Sequence, residues 1–131
     1  MTSPLTLAVQ RLLDRPGIVQ LSNDTADALI AEGDSVLFFT GNAVRYPEID
    51  DVAVILPELL AAFGNRFKVG VINPDTDRAA AKRFKVDIRP SLVFFREGKQ
   101  LGILARVRDW AIYLDEISAL YAAPQTMMET I

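Results

Sequence analysis

Val86-Asp87-Ile88-Arg89-Pro90-Ser91-Leu92-Val93-Phe94-Phe95-Arg96-Glu97-Gly98-Lys99 is the stretch on which the fold turns. Leu92 to Phe95 is apolar at every position, as a strand is when both faces of its sheet are covered. Glu97-Gly98-Lys99 is a hairpin turn signal, so Gln100 to Val107 is expected to return antiparallel. Asp109 is expected to cap a helix behind this pair, with Trp110, Tyr113, Leu114, Ile117, Leu120 and Tyr121 on its buried side.

Upstream, the pattern alternates. Ser35 to Thr40 is a second strand apolar on both faces. The segment after it carries Val52, Ile55, Leu56, Leu59, Leu60 and Phe63 at helical spacing, with Pro57 inside and a kink expected there. Val69, Val71 and Ile72 form the next strand. Asn73-Pro74-Asp75-Thr76-Asp77 then turns into a short helix of Ala79, Ala80, Ala81 and Phe84. At the start, Ser3-Pro4 reads as N-cap and first residue of a helix that carries Leu5, Ala8, Leu12 and Leu13 up to Arg15. Pro16-Gly17 stops it. Ile18 to Leu21 is a strand, and Asn23 or Asp24 caps a helix from Thr25 to Ala31.

The order α β α β α β α β β α implies an α/β fold. Strands separated by helices pair in parallel, and the last two form an antiparallel hairpin. The sheet is mixed, with helices on both faces. One domain is expected over residues 1–121. Pro124-Gln125-Thr126 is expected to end the last helix and leave 122–131 as a loose tail.

The chain has 131 residues, 50% hydrophobic and 24% charged, with a net charge of -3. That is enough apolar matter for one core, and too little positive charge for a general nucleic-acid binder. It contains no cysteine and no histidine. Zinc, haem and iron–sulfur ligation lose their usual donors, and Cys–His and Ser–His–Asp catalysis lose a member. No metal and no cofactor is expected. Met1-Thr2-Ser3-Pro4 does not open a basic region followed by an apolar stretch, and no apolar run has the length of a membrane span. A cytoplasmic location without membrane insertion is the expectation.

Three local features resemble the thioredoxin superfamily. They are Pro57 in the helix after the central strand, the Asn-x-Asp segment Asn73-Pro74-Asp75, and Ile88-Arg89-Pro90-Ser91-Leu92-Val93-Phe94-Phe95 ahead of Gly98. The resemblance covers roughly residues 18–121, behind an extra N-terminal helix. It implies a thioredoxin-like fold with Pro90 in the cis form. The family's redox cysteines would fall at positions 49 and 52, which here carry Ile49 and Val52, and the acid often kept in the central strand is replaced by about Phe38. Dithiol exchange is therefore impossible.

Lack of cysteine, the N-terminal helix and the run Tyr46-Pro47-Glu48-Ile49-Asp50-Asp51-Val52 look like the bacterial hydrogenase expression proteins of the HyaE/HupG type. That resemblance implies a non-enzymatic maturation chaperone for an uptake nickel–iron hydrogenase. Its partner would be the small-subunit precursor with its twin-arginine signal peptide. The alternative is a redox-inactive scaffold that binds a folded protein through its sheet edge or its basic half. Residues 1–66 carry 4 basic and 9 acidic side chains, and residues 67–131 carry 10 and 8. Composition fixes no oligomeric state.

The candidate peptide-binding residues are Tyr46, Glu48, Ile49, Asp50, Asp51, Glu58, Arg89 and Pro90. Glu48, Asp50 and Asp51 can receive a pair of arginines, since guanidinium and carboxylate form bidentate, charge-assisted bonds. Equally, acids at a helix N-terminus favour the helix dipole and cap free N–H groups. The loop before Pro90 can offer backbone groups to an extended peptide, or be a rigid turn whose Arg89 pairs with Asp50 or Asp51. Tyr46, Ile49 and Pro90 are expected to give apolar contacts. The basic residues Arg78, Lys82, Arg83, Lys85 and Arg89 read as a solvated helix face, the alternative being a second surface for a folded acidic partner. No nucleophile stands near the acids, so no catalytic residue is assigned.

Overall fold

A computed structural model of the chain describes residues 5–41 and 48–129, with side chains through Ala122. A five-stranded mixed sheet has the order β1-β3-β2-β4-β5. The strands are β1 (Ile18–Leu21), β2 (Asp34–Phe39), β3 (Lys68–Ile72), β4 (Ser91–Arg96) and β5 (Lys99–Ala105). The helices are α1 (Leu7–Leu13), α2 (Ala26–Ile30), α3 (Ile49–Ala62), α4 (Asp77–Phe84) and α5 (Trp110–Glu129), with a 3-10 turn at Pro74–Thr76.

Period-two alternation divides the core between the two faces of the sheet. Val36 and Phe38 of β2, Val69 and Val71 of β3, and Leu92 and Phe94 of β4 pack with α1, α3 and α5. Leu37, Phe39, Ile72, Val93 and Phe95 pack with α2 and α4. Pro57 does not interrupt α3. Its missing N–H removes one bond, while six buried side chains hold the helix to the sheet.

Several elements differ from expectation. β4 follows a helix yet pairs antiparallel to β2, with Ser91 opposite Phe39 and Asp34 opposite Arg96. The short α4 does not carry the chain back to the start of β3, so β4 enters where β2 finishes. α1 begins at Leu7, where Thr6 Oγ1 accepts from the Val9 N–H at 3.2 Å. Ser3 and Pro4 lie outside the described residues. α5 runs through Pro124 to Glu129 rather than stopping at Pro124. Trp110 is 44% exposed, because the buried stripe of α5 starts one turn later at Tyr113 and continues through Ile117 and Tyr121. The Glu97-Gly98 turn between β4 and β5 has φ of 49° and 81°, the left-handed pair that a two-residue hairpin requires.

Candidate functional site

Three connections leave the sheet at one end. β2 stops at Phe39, opposite the start of β4 at Ser91, and Ser91 also stands opposite Ala105 at the end of β5. This gathers the entry to α3, the loop ahead of β4 and the loop after β5. The Arg89–Pro90 peptide is cis, and Pro90 is buried. Ser91 Oγ donates to the Ile88 carbonyl at 2.6 Å and ties the loop to itself.

Arg106 joins the three segments. Its N–H donates to the Pro90 carbonyl at 2.8 Å. Its own carbonyl accepts from the Tyr113 hydroxyl at 3.2 Å. Its guanidinium Nη1 lies 3.2 Å from Glu48 Oε1, at the start of α3. With φ at +64° the residue is left-handed, and these backbone bonds offset that conformation. Both partners of the ion pair are open to solvent, with side-chain exposures of 63% for Arg106 and 37% for Glu48. Such a pair is screened and readily exchanged.

Glu48 occupies the N-cap position but makes no side-chain cap bond. Asp50 and Asp51 fill the first turn of α3, both exposed, where the helix dipole favours their charge. Among the described residues neither carboxylate is ion-paired. The three acids and Pro90 are thus brought to one end of the sheet.

Other candidates are placed elsewhere. Ile49 is 1% exposed and belongs to the core, so it cannot touch a partner. Arg89 does not reach Asp50 or Asp51. It pairs with Asp77 at the start of α4, Nη2 to Oδ2 at 2.8 Å, with both side chains 13% exposed. The loop thus turns Arg89 toward the α2/α4 face, and the rigid-turn expectation keeps its ion pair but changes partner. Glu58 is exposed, roughly 15 Å along α3 from Glu48 at 1.5 Å per residue. Tyr46 lies outside the described residues. Exposed apolar surface comes instead from Ile88, on the loop ahead of β4, and Trp110, the first residue of α5 after the loop that follows β5; the Arg106–Pro90 bond joins those two loops, and the two side chains are 42% and 44% exposed. Sequence reasoning missed Arg106. Its signal is a cation directly after an apolar strand, in Leu104-Ala105-Arg106-Val107.

On the basic helix α4, Arg83 pairs with Asp27 of α2. Arg78, Lys82 and Lys85 are exposed. Among the described residues no helix is long and apolar enough to cross a membrane.

The model of the family "Hydrogenase-1 expression protein HyaE" matches residues 8–113. The hydrogenase expression/formation protein HupG of Bradyrhizobium diazoefficiens is 38% identical over 118 residues, covering 86% of this chain and 80% of its own length. HoxO of Azotobacter vinelandii, a protein of the same description, is 41% identical over 115 residues, covering 87% of this chain and 77% of its own. The crystal structure of a HupG from Rhodopseudomonas palustris superposes with a TM-score of 0.56 at 38% identity, over 79% of this chain and 95% of that one. A mutant thioredoxin from Halobacterium salinarum superposes at 0.64 with 18% identity, over 79% and 89%, a likeness of fold alone.

Proposed function

The chain belongs to the family of the hydrogenase-1 expression protein HyaE, and on that footing we propose that it is a non-enzymatic accessory of hydrogenase formation. It acts in the cytoplasm on an uptake nickel–iron hydrogenase. It holds the small-subunit precursor by its twin-arginine signal peptide. The observation that carries this reading is the grouping of Glu48, Asp50 and Asp51 beside the Pro90 loop, at the end where a thioredoxin-like sheet presents its loops. One arginine of the peptide takes Glu48 in place of Arg106. The other meets Asp50 or Asp51. Arg–carboxylate forks supply geometry as well as charge. Exposed Ile88 and Trp110 give the apolar stretch of the signal a surface to lie on.

Calorimetric titration of the synthetic signal peptide into wild-type and Asp50→Asn/Asp51→Asn protein tests this. Loss of the two charges is expected to weaken binding by about fivefold at low salt, since exposed pairs are individually modest. It is also expected to flatten the salt dependence. Unchanged affinity and unchanged salt dependence would remove the acids from the site. Replacing the peptide's arginines by lysines is expected to weaken binding too, because an ammonium cannot make the fork.

A further inference from the structure

Arg66, Arg83, Arg89, Arg96, Arg106 and Arg108 each hold a carboxylate of the chain. The cations around α4 do not. Arg78, Lys82, Lys85 and Lys99 are exposed, and among the described residues none of the four is ion-paired. Arg78 and Lys82 lie four residues apart on one face of α4, and Lys85 is its C-cap. Gln100 Nε2 donates to the Phe84 carbonyl at 2.9 Å, which brings the start of β5, with Lys99, to the same end of the helix. The exposed acids flanking α4 in sequence are Asp75 and Asp87. Glu97 is turned onto the Gly33 N–H at 2.6 Å.

Helix stability accounts for only part of this charge. A cation in the last turn of a helix favours its dipole, and Lys82 stands there. Arg78 stands in the first turn, where the dipole disfavours a cation. That end of α4 is also fastened to the candidate site. Asp77, the first residue of the helix, takes Arg89 at 2.8 Å. The Pro90 loop is thus bonded to α4 on one side and, on the other, to Arg106, which reaches Glu48.

We propose that this α4 surface binds an acidic face on the body of the same precursor whose signal peptide meets the acids of α3; the inference rests on that reading. The Pro90 loop then divides a negative surface, which takes the basic signal, from a positive one, which takes the protein behind it. Free carboxylates on that protein meet cations that no carboxylate of this chain occupies. A polyanion fits less well. Nucleic-acid affinity grows with each phosphate neutralised, and anionic membranes hold clusters of about four to eight cations. Arg78 to Lys85 spans only about 10 Å at 1.5 Å per residue, on a chain of net charge -3. A discrete acidic patch on a folded protein matches that size.

Titration of Arg78→Glu/Lys82→Glu protein, with the wild-type circular dichroism spectrum, tests it against three probes. They are the full-length small-subunit precursor, the same precursor with its two signal arginines replaced by glutamine, and the synthetic signal peptide. The variant is expected to bind both precursors about tenfold more weakly than wild type at low salt, because like charges then face each other. It is expected to bind the isolated peptide as wild type does. An unchanged precursor affinity overturns the proposal. So does a loss for the isolated peptide as large as that for the precursor, which would place Arg78 and Lys82 in the peptide site. Wild-type binding to phosphatidylglycerol vesicles that the variant loses assigns the face to lipid and overturns it too. Failure of the peptide reading alone looks different: wild type then ignores the isolated peptide, while its binding of both precursors still depends on Arg78 and Lys82.

Discussion

Arg106 reaches across the end of the sheet to Glu48, with Nη1 3.2 Å from Oε1. The acid at the entry to α3 is therefore already matched by a cation of the same chain. That cation is exposed and holds by one contact, while its backbone is fixed by Pro90 and Tyr113. A ligand arginine must displace the side chain without moving the loop.

Arg106→Gln is therefore expected to tighten binding of a twin-arginine peptide by about two- to fivefold, the scale of one exposed ion pair. In a Glu48→Gln background the same substitution is expected to change affinity much less, since the competition has gone; the double-mutant cycle isolates that difference. Weaker binding by Arg106→Gln in the wild-type background would mean that the guanidinium helps the ligand instead.

Asp34 sits at the opposite end of β2. Its side chain is 11% exposed and accepts from Arg66 Nε at 2.8 Å and Arg96 Nε at 2.9 Å. Burial alone would raise its pKa, but the hydrogen bonds and charges of Arg96 and Arg66 outweigh it and hold the carboxyl below the ordinary range. The unfolded chain then takes up this proton at a higher pH than the folded one. The stabilisation is complete above about pH 5 and is lost as pH falls through the ordinary carboxylate range toward the depressed value. Asp34→Asn is expected to cost about 1–2 kcal/mol at neutral pH. It should also flatten the acid limb of urea-measured stability; an acid limb as steep as wild type would contradict the assignment.

The fold was legible because its signals are local. Apolar runs such as Leu92 to Phe95 and the Glu97-Gly98 turn depend on neighbours in sequence. The direction of β4 was not legible, since it depends on where α4 leaves the chain. At the site, acids before an apolar helix can be read directly, and so can Pro90 by its resemblance. Side-chain destinations cannot. Ile49 falls in the core because α3 buries positions 49, 52, 53 and 56 on one face. Arg89 chooses Asp77 over Asp50 and Asp51 through loop geometry, and Arg106 comes from 58 residues away to reach Glu48. No sequence window contains those pairings.

Gly70 in the middle of β3 marks a close approach. A Cβ there would lie 2.4 Å from Leu21 Cδ1 and 3.0 Å from Leu29 Cδ2. Both leucines pack on the α2/α4 core and must give way together. Gly70→Ala is expected to destabilise the chain by about 1–3 kcal/mol, the usual cost of overpacking. A combined Gly70→Ala/Leu21→Val protein should recover part of that loss in a denaturant titration. No recovery would point to strain in the strand itself.

Tyr121 closes the core between α5 and the sheet. Its hydroxyl donates to the Phe95 carbonyl at 2.8 Å. Its ring meets Phe67 edge-on at 5.2 Å, and the Arg96 guanidinium lies over it at 4.9 Å. Tyr121→Phe keeps the ring and is expected to cost about 1 kcal/mol for the lost hydrogen bond. Tyr121→Ala also removes the packing and is expected to cost about 3–5 kcal/mol. Burial, helped by the nearby Asp34 charge, pushes the Tyr121 phenol far above its usual value, and burial raises Tyr113 as well. A folded chain then holds both protons where an unfolded chain releases them. This share of stability is present below about pH 10 and is lost as pH rises beyond it. Absorbance at 295 nm should therefore show two tyrosines ionising late and with the unfolding transition, and one fewer in Tyr121→Phe. Reversible ionisation of all three tyrosines near pH 10 in the folded chain would show that Tyr121 is open to water.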